Sequence, residues 1–246
     1  MNKIFDESRK TRSDGAQSRE RLLLAAMRLF AEQGFATTST REIALAAGAN
    51  IASISYYFGD KAGLYRAAFS ELAPYRDKPL AGSTDPQATL RDSLQAFYAM
   101  LLEPLKQGDL ARLRMRLWFR EMLEPTGLWR EEIDNGIKPV HAHLVRVLGR
   151  HMGIAEPGDD IVRLAFGVVA LAVQMMVCRD VIDEVAPQLL ANEEEIDTWM
   201  ARLVDYAEAM VHAEQARLAR TASLAKSAPP PLDEKLKKSL PRKKNA

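Results

Sequence analysis

The chain has 246 residues and a formal net charge of +1 at pH 7, and 47% of its residues are hydrophobic. This composition is ordinary for a globular protein of one or two domains, and it excludes a strongly basic chain that binds nucleic acid through its overall field. The single cysteine, Cys178, excludes an internal disulfide and fits a reducing compartment. Because the N-terminal residues are also polar and resemble no secretory signal, we expect a cytoplasmic protein.

The first 16 residues are polar and charged, and we expect them to form a disordered basic arm. Such an arm is able to enter a minor groove, but its acidic residues dilute the charge, and a solvated tail is an equal alternative. A helix is predicted over about residues 17–33, where apolar residues recur with the helical period. We expect this helix to support the two helices that follow it.

Residues 39–61 are the most informative stretch, because they predict a helix, a tight turn, a second helix and the start of a third. Ser39 and Glu42 have the spacing of a capping box, in which each side chain bonds the backbone N–H of the other residue. Gly48 stands where a left-handed residue ends a helix at the lowest cost. The spacing therefore predicts a helix-turn-helix unit.

The second helix of this unit has two different faces. Ile51, Ile54 and Phe58 follow the spacing i, i+3 and i+7, and we expect them to form one buried stripe. The other face has small, polar or aromatic side chains and no acid, which suits the major groove of DNA. Its members are Ala52, Ser53, Ser55 and Tyr56. The groups suited to phosphate around this face are Thr40, Arg41, Tyr57 and Lys61. The alternative is a small packing unit whose polar residues are merely solvated.

Residues 21–69 resemble the DNA-binding domain of the TetR family of bacterial transcriptional regulators. The matching segments are Thr38-Ser39-Thr40-Arg41-Glu42-Ile43-Ala44, Ala47-Gly48 and Tyr56-Tyr57-Phe58-Gly59-Asp60-Lys61. The resemblance implies that Thr40 and Arg41 contact DNA and that Tyr57 and Lys61 lie on its backbone. It also implies a groove-facing surface that comprises Ala52, Ser53, Ser55 and Tyr56. Ser55 departs from the pattern, because many relatives have tyrosine there, and this removes one expected phosphate contact.

A further helix is predicted from Asp60, a good N-cap, to about residue 72. It connects the DNA-binding domain, residues 17–73, to the remainder of the chain, so we expect it to transmit any signal between them. Residues 74–86 contain several prolines and a glycine, which predicts a domain boundary.

Residues 87–220 predict a second, all-α domain. Its helices are expected at about residues 87–106, 109–122, 128–152, 158–185 and 193–220. No segment has the alternation of a strand. The expected fold is therefore all-α, with a three-helix helix-turn-helix DNA-binding domain followed by an α-helical bundle for ligand binding and dimerisation. Residues 226–246 form a predicted disordered basic tail, which is either a solubilising tail or a source of weak, salt-sensitive DNA affinity.

The helix predicted at 158–185 is apolar nearly all round and must be covered on several sides. Its longest apolar run is shorter than the about 20 residues of a membrane helix, so we expect no membrane partner. A second copy of the chain is able to cover one side in an intersubunit four-helix bundle, and the family resemblance implies the same homodimer. The candidate interface residues are Phe166, Val169, Val173, Leu203 and Met210.

Soft and aromatic side chains recur in the second domain and suit a pocket for a small apolar effector, although ordinary core is the alternative for each residue. The candidates are Phe97, Met100, Trp118, Met122, Trp129, Met175 and Cys178. Residues 119–126 are similar to the C-terminal domain of CecR-type regulators, a subgroup of the TetR family.

Nothing in the sequence indicates catalysis, a cofactor or a metal. His141 and His143 are two residues apart and therefore diverge on a helix. Carboxylates such as Glu121 and Glu124 lie on charged helix faces, and we expect them to be solvated. The predicted protein is not an enzyme but a homodimeric repressor, which a small apolar effector releases from a palindromic, double-stranded DNA operator. The alternative is a DNA-localised interaction protein whose α-domain binds a protein partner.

Overall fold

A computed structural model describes the backbone of residues 3–70 and 87–227, and the side chains of residues 15–70 and 87–224. The described parts contain helices and turns but no strand, which confirms the predicted all-α fold. The helices of the N-terminal domain are α1 (Lys3–Gln33), α2 (Thr40–Ala46), α3 (Ala52–Phe58) and α4 (Lys61–Ser70). The predicted boundary at 74–86 and the tail from residue 228 onwards lie outside the described residues.

The predicted arm differs from the structure, because residues 3–16 continue α1 as helix rather than forming a disordered segment. The segment contains no proline, and an existing helix extends at little cost because each added residue gains a hydrogen bond without a new nucleus.

The helix-turn-helix unit is held together by the local signals that the sequence contains. The Ser39 hydroxyl accepts from the amide of Glu42 at 3.1 Å, and the Glu42 carboxylate accepts from the amide of Ser39 at 3.2 Å. Gly48 has a φ of +58°, as the predicted left-handed position requires. Four helices then bury a shared core, in which Phe30, Ile43 and Ile54 are almost completely inaccessible.

Replacing Ser39 by alanine is expected to lower the free energy of unfolding by about 1 kcal/mol, because the amide of Glu42 loses its acceptor. The hydrogen bond from the Ser39 amide lowers the pKa of Glu42 in the folded protein. The contribution of ionised Glu42 to the free energy of unfolding is therefore present above pH 4.5, the ordinary pKa, and is lost as the pH falls through the lowered folded-state pKa. Urea unfolding at pH 7 and pH 3 measures both effects. Ser70→Ala is the control, because the Ser70 hydroxyl only bonds the carbonyl of Arg66 within its own helix. An equal loss in both variants contradicts the capping role.

The second domain is a helical bundle with its own core. Its helices are α5 (Leu90–Leu102), α6 (Asp109–Leu123), α7 (Leu128–Glu132), α8 (Lys138–His151), α9 (Asp159–Val177), α10 (Arg179–Val185) and α11 (Glu193–Ser227). A π-helical turn at Ile133–Ile137 joins α7 to α8, so the helix predicted at 128–152 is continuous but irregular. The helix predicted at 158–185 is interrupted at Cys178, where α9 ends and α10 begins.

The two domains meet through α6. Leu117 of α6 lies in the core cluster of the N-terminal domain, to which Phe69 of α4 also belongs. The core of the second domain is formed mainly by α5, α8, α9 and α11. Tyr98 is completely buried in it, and its hydroxyl donates to the carbonyl of Val168 at 2.9 Å. Because α6 contributes to the first core and supports the second domain, its position relates the DNA-binding helices to the bundle.

Helix α9 is the one helix in the described ranges that is long and apolar enough to cross a membrane by length and composition. Its Ala165, Val168 and Ala172 are completely buried in the bundle, which accounts for much of this apolar character. The helix also carries Arg163, which pairs with Asp159 and Asp160 in its first turn.

Candidate nucleic-acid interface

The face of α3 that we predicted to enter the major groove is open to solvent. Ala52 and Ser55 are exposed, Tyr56 is 82% exposed, and Ser53 is half-buried. The helix contains no acidic residue in any turn. The face therefore presents hydroxyl groups and small apolar groups to a duplex without repelling its phosphates.

The groups predicted to bind phosphate surround this face. Arg41 is exposed at the start of α2, and Thr40 beside it is half-buried. The ring of Tyr57 packs edge-on against that of Tyr56, with ring centroids 4.9 Å apart. The hydroxyl of Tyr57 lies close to Gly15 of α1, so this side chain is held by the protein on one side.

Lys61 has internal partners that the sequence did not indicate. Its ammonium group lies 4.6 Å from the centroid of the Phe35 ring and donates to the carbonyl of Ala36 at 3.4 Å. These contacts tie the start of α4 to the turn between α1 and α2. The predicted contact between Lys61 and the DNA backbone stays a prediction. The N–H groups of the ammonium that do not bond Ala36 would have to make this contact.

The predicted buried stripe of α3 is only partly correct. Ile54 is 2% exposed and Phe58 is half-buried, but Ile51 is 50% exposed and belongs to neither core cluster. Ile51 is the N-cap residue of α3 and stands before its first turn, whereas Ile54 lies within the helix and joins the core of the N-terminal domain. An aliphatic side chain therefore remains at the open end of the helix.

The candidate dimer residues occupy different environments. Phe166 is 58% exposed, Val169, Val173 and Met210 are half-buried, and Leu203 is 2% exposed in the core of its own protomer. Leu203 therefore has no surface left for a partner subunit, because packing between α11 and the bundle covers it. The open faces of α9 and α11 lie side by side, since Gly167 allows Met210 to approach the backbone of α9 closely.

The candidate effector residues do not line one cavity. Phe97 and Met175 are buried in the bundle core, and Met100 packs against the same core. The candidates Trp118 and Trp129 contact each other edge to face, 4.9 Å between ring centroids, at the junction of the domains. Met122 is 37% exposed, and Cys178 is half-buried where α9 ends.

A cavity of about 110 Å³ lies between α4 and α7, and none of these candidates lines it. Its lining residues are Arg66, Phe69, Ser70, Leu128 and Glu131. The volume is smaller than the roughly 300–1,000 Å³ of typical ligand pockets. The effector pocket therefore stays a prediction, and it requires the bundle to open.

The strongest departure from the sequence analysis is Glu121, which we expected to be solvated and which is completely buried. Its carboxylate accepts from the hydroxyl of Tyr65 at 2.7 Å, from the amide of Thr126 at 2.9 Å and from the amide of Trp129 at 3.1 Å. The Thr126 hydroxyl also donates to it, at 3.0 Å. These donors belong to α4, to the turn between α6 and α7 and to the first turn of α7, so one carboxylate joins both domains.

Burial and this hydrogen bond raise the pKa of Tyr65 far above its ordinary value, so the phenol is always the donor. The neighbouring Arg120 reinforces the joint, because its guanidinium donates to the carbonyls of Ala31 and Glu32 at the end of α1. A sequence signal existed: a turn of Pro125, Thr126 and a glycine exposes backbone amides close to an acidic residue on the preceding helix. We define the Glu121 joint as Tyr65, Glu121, Thr126 and Trp129.

The histidines form no metal site. Burial lowers the pKa of His141 and that of His143, which favours their neutral forms. Among the residues that the structure describes, no group of three histidine, cysteine or acidic side chains is arranged to hold a metal ion.

Two protein families match this chain. The family described as "Bacterial regulatory proteins, tetR family" matches residues 22–68, and the family described as "HTH-type transcriptional dual regulator CecR, C-terminal domain" matches residues 90–213. The two matches together cover both domains, and the second covers half of the chain.

Two transcriptional regulators of Shigella flexneri are similar to this chain in sequence. The HTH-type transcriptional dual regulator CecR of Shigella flexneri is 33% identical over 150 residues, which are 56% of this chain and 66% of that protein. The HTH-type transcriptional regulator AcrR of Shigella flexneri is 41% identical over 121 residues, which are 46% of this chain and 54% of that protein. The chain thus spans less than two thirds of each of these relatives.

Solved structures share the fold at low sequence identity. HlyIIR, a hemolysin II transcriptional regulator, has a TM-score of 0.54 at 20% identity and covers 72% of this chain and 97% of its own. A TetR transcription regulator from Haloarcula marismortui ATCC 43049 has a TM-score of 0.54 at 18% identity and covers 79% and 98%. These similarities concern the fold alone.

Proposed function

The chain belongs to the TetR family of bacterial transcriptional regulators, with a C-terminal domain of the CecR type, and from this membership we propose that it is a homodimeric, ligand-responsive repressor. It binds a palindromic, double-stranded DNA operator in the cytoplasm, and a small apolar effector releases it. The family consists of DNA-binding regulators, which confirms the prediction that the chain is not an enzyme.

The observation that carries this proposal is the open, acid-free face of α3. Tyr56 and Ser55 are exposed on a short helix whose neighbour α2 presents the exposed Arg41. A recognition helix enters the major groove with its N-terminal residues against the base edges, while the preceding helix crosses the backbone. The order and exposure of α2 and α3 fit this arrangement.

Selection of duplexes from a random pool by the purified chain tests the DNA-binding step. We expect an inverted repeat whose half-site centres are about 34 Å apart, or a multiple of this spacing, because a two-fold dimer presents two copies of α3. Enrichment of a single half-site contradicts the dimeric mode of binding, and absence of any enrichment contradicts the assignment to DNA. Reporter expression with and without the chain gives the direction of regulation, which matters because the relative CecR is named a dual regulator.

Dimerisation is proposed through the open faces of α9 and α11. Phe166 is 58% exposed and Tyr206 is 53% exposed, and large apolar groups at such exposure favour association. Two adjacent helices from each protomer then form a four-helix interface. In this arrangement the interface retains Phe166, Val169, Val173 and Met210 but excludes Leu203.

Phe166→Glu is expected to convert the dimer to a monomer, because each interface would contain two buried, unpaired carboxylates related by the two-fold axis. Sedimentation velocity at micromolar concentration measures the mass, and helicity by circular dichroism checks the fold. Leu123→Glu is the matched control, since Leu123 is 75% exposed at the end of α6, outside the proposed interface. A variant Phe166→Glu that remains dimeric places the interface elsewhere.

Release by an effector is proposed as a population shift. An effector that binds one spacing of the two DNA-binding domains more tightly than the other moves the equilibrium by that difference in affinity and no more. The Glu121 joint supports this mechanism, because it connects α4 of the DNA-binding domain to the turn at Thr126 and to Trp129 at the start of α7.

A second candidate function, a DNA-localised interaction protein, is favoured by an exposed apolar row on α9 and α10. Val177, Val181 and Val185 are spaced by four residues and are 46%, 55% and 78% exposed. One experiment separates the two candidates: thermal unfolding in the presence of indole, toluene and 1-octanol. A repressor with an apolar pocket is stabilised by at least one of these probes in a concentration-dependent manner, and the same probe releases it from the operator. No stabilisation by any probe favours the interaction protein.

A further inference from the structure

Ile51 stands at the start of α3 as an exposed aliphatic residue. It is 50% exposed and lies outside both core clusters. Its backbone is helical, with φ −57° and ψ −33°. A single exposed aliphatic side chain is ordinary on a protein surface, so what distinguishes Ile51 is its position on the helix that we assign to DNA recognition.

The local structure holds Ile51 in a defined orientation. The side-chain oxygen of Asn50 accepts from the amide of Ala52 at 2.9 Å, and the carbonyl of Asn50 accepts from the amide of Ser53 at 2.9 Å. These bonds bracket Ile51 and start the helix at this point. The side chain is thus presented by an ordered first turn and not by a mobile loop.

Ile51 also shares a face with the residues that we assign to the major groove. Ile51 and Ser55 are four residues apart, as are Ala52 and Tyr56, so these pairs lie next to each other along the helix. All four are exposed. The N-terminal residues of a recognition helix contact the base edges in the major groove. Ile51 is therefore expected to enter the groove further than the other residues of this face.

The chemistry of the groove restricts what Ile51 is able to recognise. Its side chain has no hydrogen-bond donor or acceptor, and the C5-methyl group of thymine is the apolar group that base pairs display in the major groove. Donors and acceptors of guanine, cytosine or adenine would lose water against Ile51 without compensation. Ser53 and Ser55 remain available for the hydrogen-bonding edges nearby.

We propose that Ile51 is a specificity-determining residue that reads a thymine methyl group once in each half-site of the operator. This inference rests on the proposed function as a DNA-binding dimer. It adds a base identity: every half-site contains a T·A pair at the position that faces the first turn of α3.

Replacement of single thymines by deoxyuridine in the selected operator tests this proposal, because it removes the methyl group and retains every hydrogen bond. We expect one symmetry-related pair of thymines at which the change weakens binding about fourfold per half-site, which corresponds to about 0.8 kcal/mol for one buried methyl group. Binding is measured by fluorescence anisotropy at constant salt, with one position changed at a time. Replacing the same T·A pair by a C·G pair is also expected to weaken binding. Replacing the cytosine of that pair by 5-methylcytosine restores the methyl group and is expected to recover part of the lost affinity.

The variant Ile51→Ala identifies the side chain responsible. It is expected to bind the thymine operator more weakly than the wild type and to lose the difference between thymine and deoxyuridine at that position. Ile51→Val retains part of the difference, because it retains one branch against the methyl group. Leu123→Ala is the control, since it shortens an exposed aliphatic residue outside the helix-turn-helix unit and is expected to keep the full difference.

The outcomes separate this inference from the function on which it rests. If the wild type binds its operator but no thymine position responds to deoxyuridine, the role of Ile51 is wrong while DNA binding stands. The same holds if Ile51→Ala keeps the wild-type difference in affinity between thymine and deoxyuridine. If Ala52→Gly then removes this difference, the neighbouring residue Ala52 contacts the methyl group instead. If the wild type enriches no duplex, both the proposed function and this inference fall.

Discussion

Replacing Arg41 and Tyr56 together by alanine is expected to abolish operator binding while the fold and the dimer remain intact. Arg41 is exposed at the start of α2 and Tyr56 is 82% exposed on α3, so neither supports the core. Surface substitutions of this kind change the free energy of unfolding by roughly 0.5 kcal/mol or less. The effect on binding is large, because each lost contact to a base or phosphate is worth about 1–3 kcal/mol and each occurs twice in a dimer.

The expected loss in affinity is therefore roughly a thousandfold or more, since the four contacts contribute at least about 4 kcal/mol together. The single variant Arg41→Ala has a second signature. Loss of two phosphate contacts per dimer is expected to reduce the slope of log K against log salt concentration by about 1.8. Tyr56→Ala should leave this slope unchanged, because a phenol carries no charge at neutral pH.

Gel shift and anisotropy measurements on the selected operator, at several salt concentrations, provide the comparison. Arg116→Ala is the matched control, because Arg116 is an exposed arginine on α6, far along the chain from the helix-turn-helix unit. A double variant that still shifts the operator at wild-type concentration excludes this surface as the DNA-reading face. An Arg116→Ala effect of similar size points instead to a diffuse electrostatic attraction.

The second large effect is expected at the Glu121 joint. Glu121→Ala should lower the free energy of unfolding by about 3–5 kcal/mol, because the hydroxyl of Tyr65 and the amides of Thr126 and Trp129 lose a shared buried acceptor. Glu121→Gln is expected to lower the free energy of unfolding by less. The carbonyl oxygen of the glutamine still accepts from some of these donors, but its NH2 group is itself a donor and leaves the others without an acceptor. Tyr65→Phe should cost about 1–2 kcal/mol, because one bond to a charged group is lost and the remaining bonds stay.

Urea unfolding followed by tryptophan fluorescence is the appropriate measurement, because Trp118 and Trp129 contact each other at the joint. Glu124→Ala is the control: Glu124 lies one turn along the same helix, pairs with Arg120 at 3.2 Å, and its side chain is 65% exposed. Exposed ion pairs of this kind contribute about 0–1 kcal/mol. If the Glu121 and Glu124 variants lose equal stability, the buried carboxylate does not hold the domains together.

The Glu121 joint also bears on the proposed response to an effector, because it connects helices of the two domains. Tyr65 lies on α4 in the core that α4 shares with α1, and Trp129 lies in the first turn of α7, which continues through a π-helical turn into α8. A displacement of the turn at Thr126 therefore pulls on α4 through a single buried carboxylate. Such a connection is stiff, because every polar atom of the carboxylate already has a partner and cannot move without losing it.

Local features of the chain were predictable from the sequence. The capping box of Ser39 and Glu42, the left-handed Gly48 and the acid-free surface of α3 depend on residues within a few positions of one another. Their energies come from backbone geometry and from hydrogen bonds inside one or two helical turns. The all-α fold followed from helical periodicity for the same reason.

Features that depend on contacts between distant segments were not predictable. Glu121 has the spacing of a solvated residue, and only the approach of Tyr65, 56 residues away, makes it a buried hub. Ile51 has the spacing of a core residue but is half exposed at the start of α3, whereas Leu203 was predicted at a surface and is covered by the bundle. The candidate effector residues were grouped without this information: Phe97 and Met175 lie in the core of the second domain, whereas Trp118 packs against the core of the N-terminal domain.

The sequence by itself determined where helices begin and end around the DNA-reading unit and which side of α3 is free of acid, since these properties are set by neighbours along the chain. Only the tertiary structure decided which side chains are buried, which of them join the two domains and which remain exposed. The physical reason is that burial is decided by the competition of many segments for the same limited interior, and periodicity within one helix does not contain that competition.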